Sequence, residues 1–165
     1  MEIRTLKAGD ASEYQKLRLE ELKLHPEAYA SSYEEEAART VEFFEKRLSE
    51  LESVTLGAFV NGQLAGSVTL FPETKKKLKH RVNLVAMYVA PDFRKSGTGK
   101  ALVQAALEKA KVIPGASHIY LAVTSTNIPA KKLYLSCGFE TFGVDAQALN
   151  IDGNFYSEDL MVLKL

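Results

Sequence analysis

Apolar and polar positions alternate from Glu2 to Leu6, a period of two that predicts a first strand. Asp10 stands where a helix cap belongs, ahead of a helix to about Leu24 with Tyr14, Leu17, Leu22 and Leu24 on its apolar side. His25-Pro26 ends it. No period is legible from Glu27 to Arg39, a segment aromatic at Tyr29 and Tyr33 and acidic from Glu34 to Glu36. Thr40 is placed to cap a second helix through Phe43, Phe44 and Leu48 to about Leu51. Val54 to Val60, the pair Asn61-Gly62, and Leu64 to Phe71 predict a hairpin. The run Lys75 to Lys77 with Lys79, His80 and Arg81 reads as a solvated turn that blunts a strand end. A fourth strand spans Arg81 to Val89.

A helix opens at about Gly97, with Leu102, Ala105, Ala106 and Ala110 on one stripe, and Pro114-Gly115 breaks it. His118 to Thr124 predicts a fifth strand. Asn127 suits a cap and Pro129 the first turn of a further helix, whose face holds Ala130, Leu133, Tyr134 and Cys137. Gly138 suits the position after it. A sixth strand starts at Phe139, and Asp152-Gly153 turns it into a last strand, Phe155 to Leu165. The chain reads as an α/β protein in one domain, 1–165.

Charge narrows the partners. Lys plus Arg and Asp plus Glu both number 21, so no positive excess is available to neutralise a nucleic-acid backbone. Cys137 is the only cysteine, which excludes an internal disulfide and suits a reducing compartment. No signal-like core is visible among Glu2, Arg4, Lys7 and Asp10, and no apolar run nears the roughly 20 residues of a membrane span. A cytoplasmic location with no membrane partner is expected.

The stretch Met87 to Lys100 carries the chemistry. Pro91 stops a strand, and a glycine-containing turn leads into a helix. The free N–H groups of a first helical turn and the helix dipole favour an anion there. Gly97 and Gly99 remove Cβ atoms that would hold a phosphate off, and Arg94 and Lys95 add positive charge. A Walker A loop fails at Ala101, where Ser or Thr belongs, and at Arg94, where Gly belongs. A dinucleotide fingerprint fails at Leu102, its third Gly.

The remaining pattern, Arg94-x-x-Gly97-x-Gly99 after an apolar strand, resembles motif A of the GCN5-related N-acetyltransferases, which hold the pyrophosphate of acetyl-CoA. The series Asn127, Ala130, Leu133, Tyr134, Gly138 and Phe139 is similar to the second half of that family's core, one helix and one strand later. Together the two motifs cover about residues 84–140. The resemblance implies a mixed, mostly antiparallel sheet of six to seven strands with helices on both faces. Strands four and five would be parallel and splayed, with the pantetheine arm of acetyl-CoA between them.

It also implies roles. Met87, Tyr88 and Val89 would line the arm, with the backbone of Met87 and Val89 pairing with it like an added strand. Arg94, Lys95, Ser96, Gly97, Thr98, Gly99 and Lys100 would hold the pyrophosphate, and Asn127 and Tyr134 would lie beside the arm and its sulfur. Acetyl-CoA is the expected co-substrate, with no metal. Tyr134 is the expected general acid, since a phenol of pKa about 10 can protonate a departing thiolate. Cys137, on the packed face beside Leu133, is expected to be a small core residue and not a nucleophile.

The general base stays open. A Glu five residues before the motif's Asn, found in ribosomal-protein N-terminal acetyltransferases, is replaced here by Ala122, and the fourth strand offers only Asn83. His118, His80 and the acids Glu34, Glu35 and Glu36 are the candidates, with an ordered water chain as the alternative. The expected reaction is direct acetyl transfer to a primary amine of a small molecule or a peptide. Alternatives are a protein N-terminal acetyltransferase or a CoA-binding sensor without turnover. The irregular segment 27–39 is where the acceptor would be gripped, and a homodimer through the last hairpin, with Val162 and Leu163 as edge candidates, is expected.

Overall fold

The computed structural model describes residues Met1 to Leu165. Seven strands form one sheet: β1 (Glu2–Thr5), β2 (Val54–Val60), β3 (Gln63–Pro72), β4 (Arg81–Val89), β5 (His118–Thr124), β6 (Glu140–Ile151) and β7 (Asn154–Lys164). Their order is β1-β2-β3-β4-β5-β7-β6, and every neighbouring pair is antiparallel except β4 and β5. Five helices accompany them: α1 (Ala11–Leu24), α2 (Tyr33–Ala37), α3 (Val41–Ser49), α4 (Thr98–Lys111) and α5 (Ile128–Ser136).

The core has two parts, one on each face of the sheet. On one face α4 inserts Leu102, Val103, Ala106 and Ala110 against Leu56, Val68, Val82 and Ile119. On the other, α1 and α3 bring Tyr14, Leu17 and Phe44 onto Leu64, Phe59 and Tyr88. Strand β4 serves both. Val82 and Leu84 face α4, yet Tyr88, an even number of residues further on, faces α1. A bulge explains the reversal: the β3 register shifts between Ser67 and Thr69, and Ala86 takes a left-handed φ of 49°. One inserted residue sends every later side chain to the opposite face.

The bulge coincides with the end of the β4–β5 ladder. Arg81 pairs with His118, Val82 with Ile119 and Asn83 with Tyr120, and pairing stops there although both strands continue. Strand β5 stays paired on its other side, with β7, as far as Thr124 opposite Glu158. The parallel strands therefore splay, as expected.

Some local expectations change. Asp10 precedes α1 but its carboxylate does not cap it; it accepts from Arg4 at 2.7 and 2.8 Å and from the Lys7 amide at 2.8 Å. Thr40 stands at the cap of α3 without a side-chain cap bond, and α3 stops at Ser49, leaving Leu51 fully exposed. Leu24 is half exposed, while the buried side of α1 takes Arg18 and Glu21. The segment read as irregular contains α2, opened by a capping box: Ser32 Oγ accepts from Glu35 N, and the Glu35 carboxylate accepts from Ser32 N. Strand β7 lies inside the sheet, so Val162 and Leu163 are not edge residues; the free edge at this end of the sheet is β6.

The closest backbone approach under the bulge is at Gly66 of β3. A Cβ there would fall 2.6 Å from the Tyr88 carbonyl oxygen and 3.2 Å from Leu102. Gly66→Ala is expected to destabilise the fold by about 1–3 kcal/mol, read as a lower urea midpoint at unchanged slope.

Candidate active site

The splay leaves the outer part of β4 with no strand on one edge. Ala90 donates its amide to Ala65 O on β3 at 2.9 Å, so alternation turns the backbone groups of Met87 and Val89 to the open edge. Both of their carbonyls already have partners: Tyr29 Oη donates to Met87 O at 3.2 Å, and Arg94 Nε donates to Val89 O at 2.9 Å. Their amides face the gap. Tyr88 faces the other way, its hydroxyl donating to Glu20 at 2.8 Å, and Arg94 lies over its ring.

Beyond β4 a short 3-10 turn, Pro91–Phe93, leads into the glycine turn. Lys95 and Gly97 both adopt positive φ, 61° and 85°. The Arg94 amide donates to Pro91 O and the Ala101 amide to Gly97 O, while the amides between them, Lys95 to Lys100, donate to no backbone carbonyl outside the helix. Successive N–H groups in such a turn make an anion-binding concavity. Ser96 Oγ donates to Phe93 O at 2.6 Å and meets Thr98 Oγ1 at 2.9 Å, so these two hydroxyls pin the turn and leave the amides as its donors. A Cβ on Gly97 would meet nothing within 4 Å, so the space beside this left-handed residue is open. A Cβ on Gly99 would stand 3.3 Å from Leu133, so that glycine serves close packing against α5. The concavity fits a phosphate.

Two clefts meet at the gap. The larger, about 650 Å³, runs from Arg94, Lys95 and Gly99 to Asn127 and Tyr134. The smaller, about 420 Å³, is walled by Arg18, Tyr29, Ala86, Ala122 and Glu158. Tyr29, Met87, Thr124, Asn127 and Tyr134 line both. An open polar depression of about 870 Å³ near Arg4 and Lys16 shares none of these residues.

Asn127 caps α5, its Oδ1 accepting from Ala130 N at 3.2 Å. Tyr134 is 6% exposed, packed edge-on against Phe139, and its hydroxyl makes no hydrogen bond within the protein. Burial pushes its pKa up, which keeps the phenol protonated and able to donate. Cys137 ends α5 and lines neither cleft. No trio of His, Cys, Asp or Glu is grouped to hold a metal ion.

The base candidates named from sequence lie elsewhere. His80 and His118 stack edge-on at 5.8 Å at the paired end of β4 and β5, and neither lines a cleft. Glu35 closes the α2 capping box, and buried Glu36 binds Arg18 at 3.6 Å and Arg47 at 3.2 Å. Asn83 donates to Glu73. Three features escaped the sequence. The first is a buried charge cluster in which Arg18 pairs with Glu21 and Glu36. There burial pushes the Glu21 carboxyl up to about 7 against the opposing pull of Arg18. The second is Tyr29, stacked on Arg18 and bonded to β4; a half-buried aromatic in a loop carries no local signal of this. The third is Glu158 on β7, half-buried in the smaller cleft with no ion pair or hydrogen bond. Only the β5–β7 register brings it there.

The protein-family model described as "Acetyltransferase (GNAT) family" matches residues 16–139. An N-alpha-acetyltransferase from Sulfurisphaera tokodaii is 31% identical over 105 residues, 59% of this chain and 63% of the relative. A streptothricin acetyltransferase from Streptomyces lavendulae is 33% identical over 93 residues, 56% of this chain and 46% of the relative. The chain thus spans less than two thirds of the length of these curated relatives. Among solved structures, an acetyltransferase of the GNAT family from Streptococcus pneumoniae superposes with a TM-score of 0.88 at 26% identity, covering 99% of both chains.

Gly97→Val tests the concavity. The valine must adopt a left-handed φ, costing about 1–2 kcal/mol, and its side chain fills the open space. Affinity for coenzyme A in calorimetry is expected to fall at least about tenfold. Unchanged affinity contradicts the assignment.

Proposed function

Because the chain belongs to the acetyltransferase (GNAT) family, we propose that residues 1–165 act as one domain that transfers the acetyl group of acetyl-CoA directly to a primary amine. The observation that carries this reading is the juxtaposition at the gap: an amide concavity at 95–100, unpaired β4 amides at Met87 and Val89, and an unpartnered Tyr134 hydroxyl share one cleft. Acetyl-CoA supplies an activated acyl group on a thiol leaving group. Lys95 to Lys100 hold its pyrophosphate, with Arg94 and Lys95 adding charge. The Met87 and Val89 amides align its arm, and one of them can polarise the thioester carbonyl, a contribution of about 3 kcal/mol in other acyl transfers. Asn127, fixed by its cap bond, borders the arm.

Tyr134 donates its proton as the thiolate leaves. A phenol with raised pKa is a weaker acid than one in water, but a thiolate free of solvent is a strong base, and no other protein group competes for the hydroxyl. The acceptor approaches through the smaller cleft under Tyr29. The names of the two curated relatives point to different acceptors, an α-amine and streptothricin. Ala122, in place of a Glu on β5, weighs against a ribosomal-protein acceptor. A cytoplasmic location, suited to one free cysteine, and a homodimer formed through the free β6 edge complete the reading.

The test is thiol release from acetyl-CoA with a panel of alkylamines, polyamines, aminoglycosides, amino acids and short peptides. Turnover with at least one is expected; none over the whole panel overturns the reading. With a working acceptor, Tyr134→Phe keeps the buried ring and loses the hydroxyl. It is expected to lower kcat at least about tenfold while coenzyme A affinity stays within about twofold. A kcat within about twofold of wild type assigns Tyr134 to packing alone.

A further inference from the structure

An acceptor amine meets the protein largely as an ammonium at about pH 7, since its pKa is about 10 for an alkylamine and about 8 for a peptide N-terminus, and it must lose a proton before its nitrogen can attack. Four ionisable side chains line the smaller cleft: Arg18, Tyr29, Tyr134 and Glu158. Arg18 is a fixed cation already matched by Glu21 and Glu36. Tyr29 donates its hydroxyl to Met87 O, and burial raises its pKa, as it does for Tyr134. The carboxylate of Glu158 has no partner, lines the smaller cleft and is absent from the larger one.

We propose that Glu158 binds the acceptor's ammonium and removes its proton, which makes it the general base of the acetyl transfer; this rests on the reading in the preceding subsection. The neighbouring acid has a different fate. Alternation along β7 turns Asp159 to the other face, where Lys131 binds it at 2.6 Å and Ser125 donates to it at 2.6 Å. Glu158 is left free. Register places it across β7 from Thr124 on one side and from Asp145 of β6 on the other. Burial first, then the Asp145 charge, raises its pKa, so it holds a proton more readily than a surface carboxylate. The charged or titratable groups around the cleft are Asp145 on β6, Arg18 on α1, Tyr29 in the following loop and Tyr134 on α5.

The protons balance. Glu158 takes one from the ammonium and passes it to solvent. The neutral nitrogen bonds the acetyl carbon as the C–S bond breaks, and the nitrogen's second proton goes to solvent while Tyr134 protonates the sulfur and regains its proton from solvent. A consequence for the acceptor class follows. A carboxylate next to the amine would face the Glu158 carboxylate, so alkylamines and peptide N-termini are accepted over free amino acids.

The experiment is thiol release by wild type, Glu158→Gln and Glu158→Asp across pH 6–9 with the best amine of the panel, with coenzyme A affinity measured for each. Glu158→Gln is expected to lower kcat/KM at least about 10²-fold near pH 7. The loss should shrink as pH nears the amine's own pKa, where free amine needs no base. Glu158→Asp should restore part of the rate, and coenzyme A affinity should stay within about twofold. Activity of Glu158→Gln within about twofold of wild type with the same pH profile overturns the inference and leaves acetyl transfer standing. Loss of coenzyme A binding in the variant also overturns it, since the residue is then structural. A wild type that acetylates no amine fails at the level of the proposed function and takes this inference with it.

Discussion

The site depends on one discontinuity in backbone pairing. Two parallel strands in the middle of a sheet would ordinarily pair along their shared length. Here β4 and β5 pair only from Arg81 to Asn83. The bulge at Ala86, held in a left-handed φ, bends β4 away, and β5 remains anchored to β7. Backbone polar groups left without a partner are costly unless something satisfies them. Tyr29 and Arg94 cap two carbonyls of the open edge, which keeps the gap from closing while leaving its amides to a ligand.

The same bulge ties the site to both halves of the core. Met87 and Val89 pack towards α4 while Tyr88 packs towards α1, so the strand wall at the gap is gripped from both sides. The loop after α1 is bound to both sides of the gap by three contacts: Tyr29 on Met87 of β4, Thr124 Oγ1 of β5 donating to Glu27 O at 2.8 Å, and His25 against Arg94 of the turn after β4 at 3.0 Å. Behind Tyr29 stands the buried Arg18–Glu21–Glu36 cluster. Removing one member of such a cluster strands a buried charge, so its expected value lies in fixing Tyr29 in place more than in net stability.

Local pattern carried most of the fold. Period two found the strands, period 3.6 found α4, and Gly62, Gly138 and Gly153 marked turns where φ is positive. The cradle was legible because its chemistry is contiguous: a strand stop, two glycines and a helix start lie within one short stretch. What failed was non-local. The Ser32–Glu35 capping box could have been read from its spacing, yet the acidic run hid it. Arg18 and Glu21 carry no local signal of burial, because charge on a helix is usually solvated, and only tertiary pairing buries them. Glu158 could not be found without the β5–β7 register, and placing β7 at the edge was an error of strand order that no local pattern corrects.

On the proposed reading, the gap between β4 and β5 and the turn after it form one acyl-CoA site built from backbone amides. Amide hydrogen exchange with and without coenzyme A, resolved by residue, addresses those groups directly. Slower exchange is expected at Lys95 to Lys100 and at Met87 and Val89, with little change in β1, β2 and α3. Protection confined to other segments, or none at saturating coenzyme A, contradicts it.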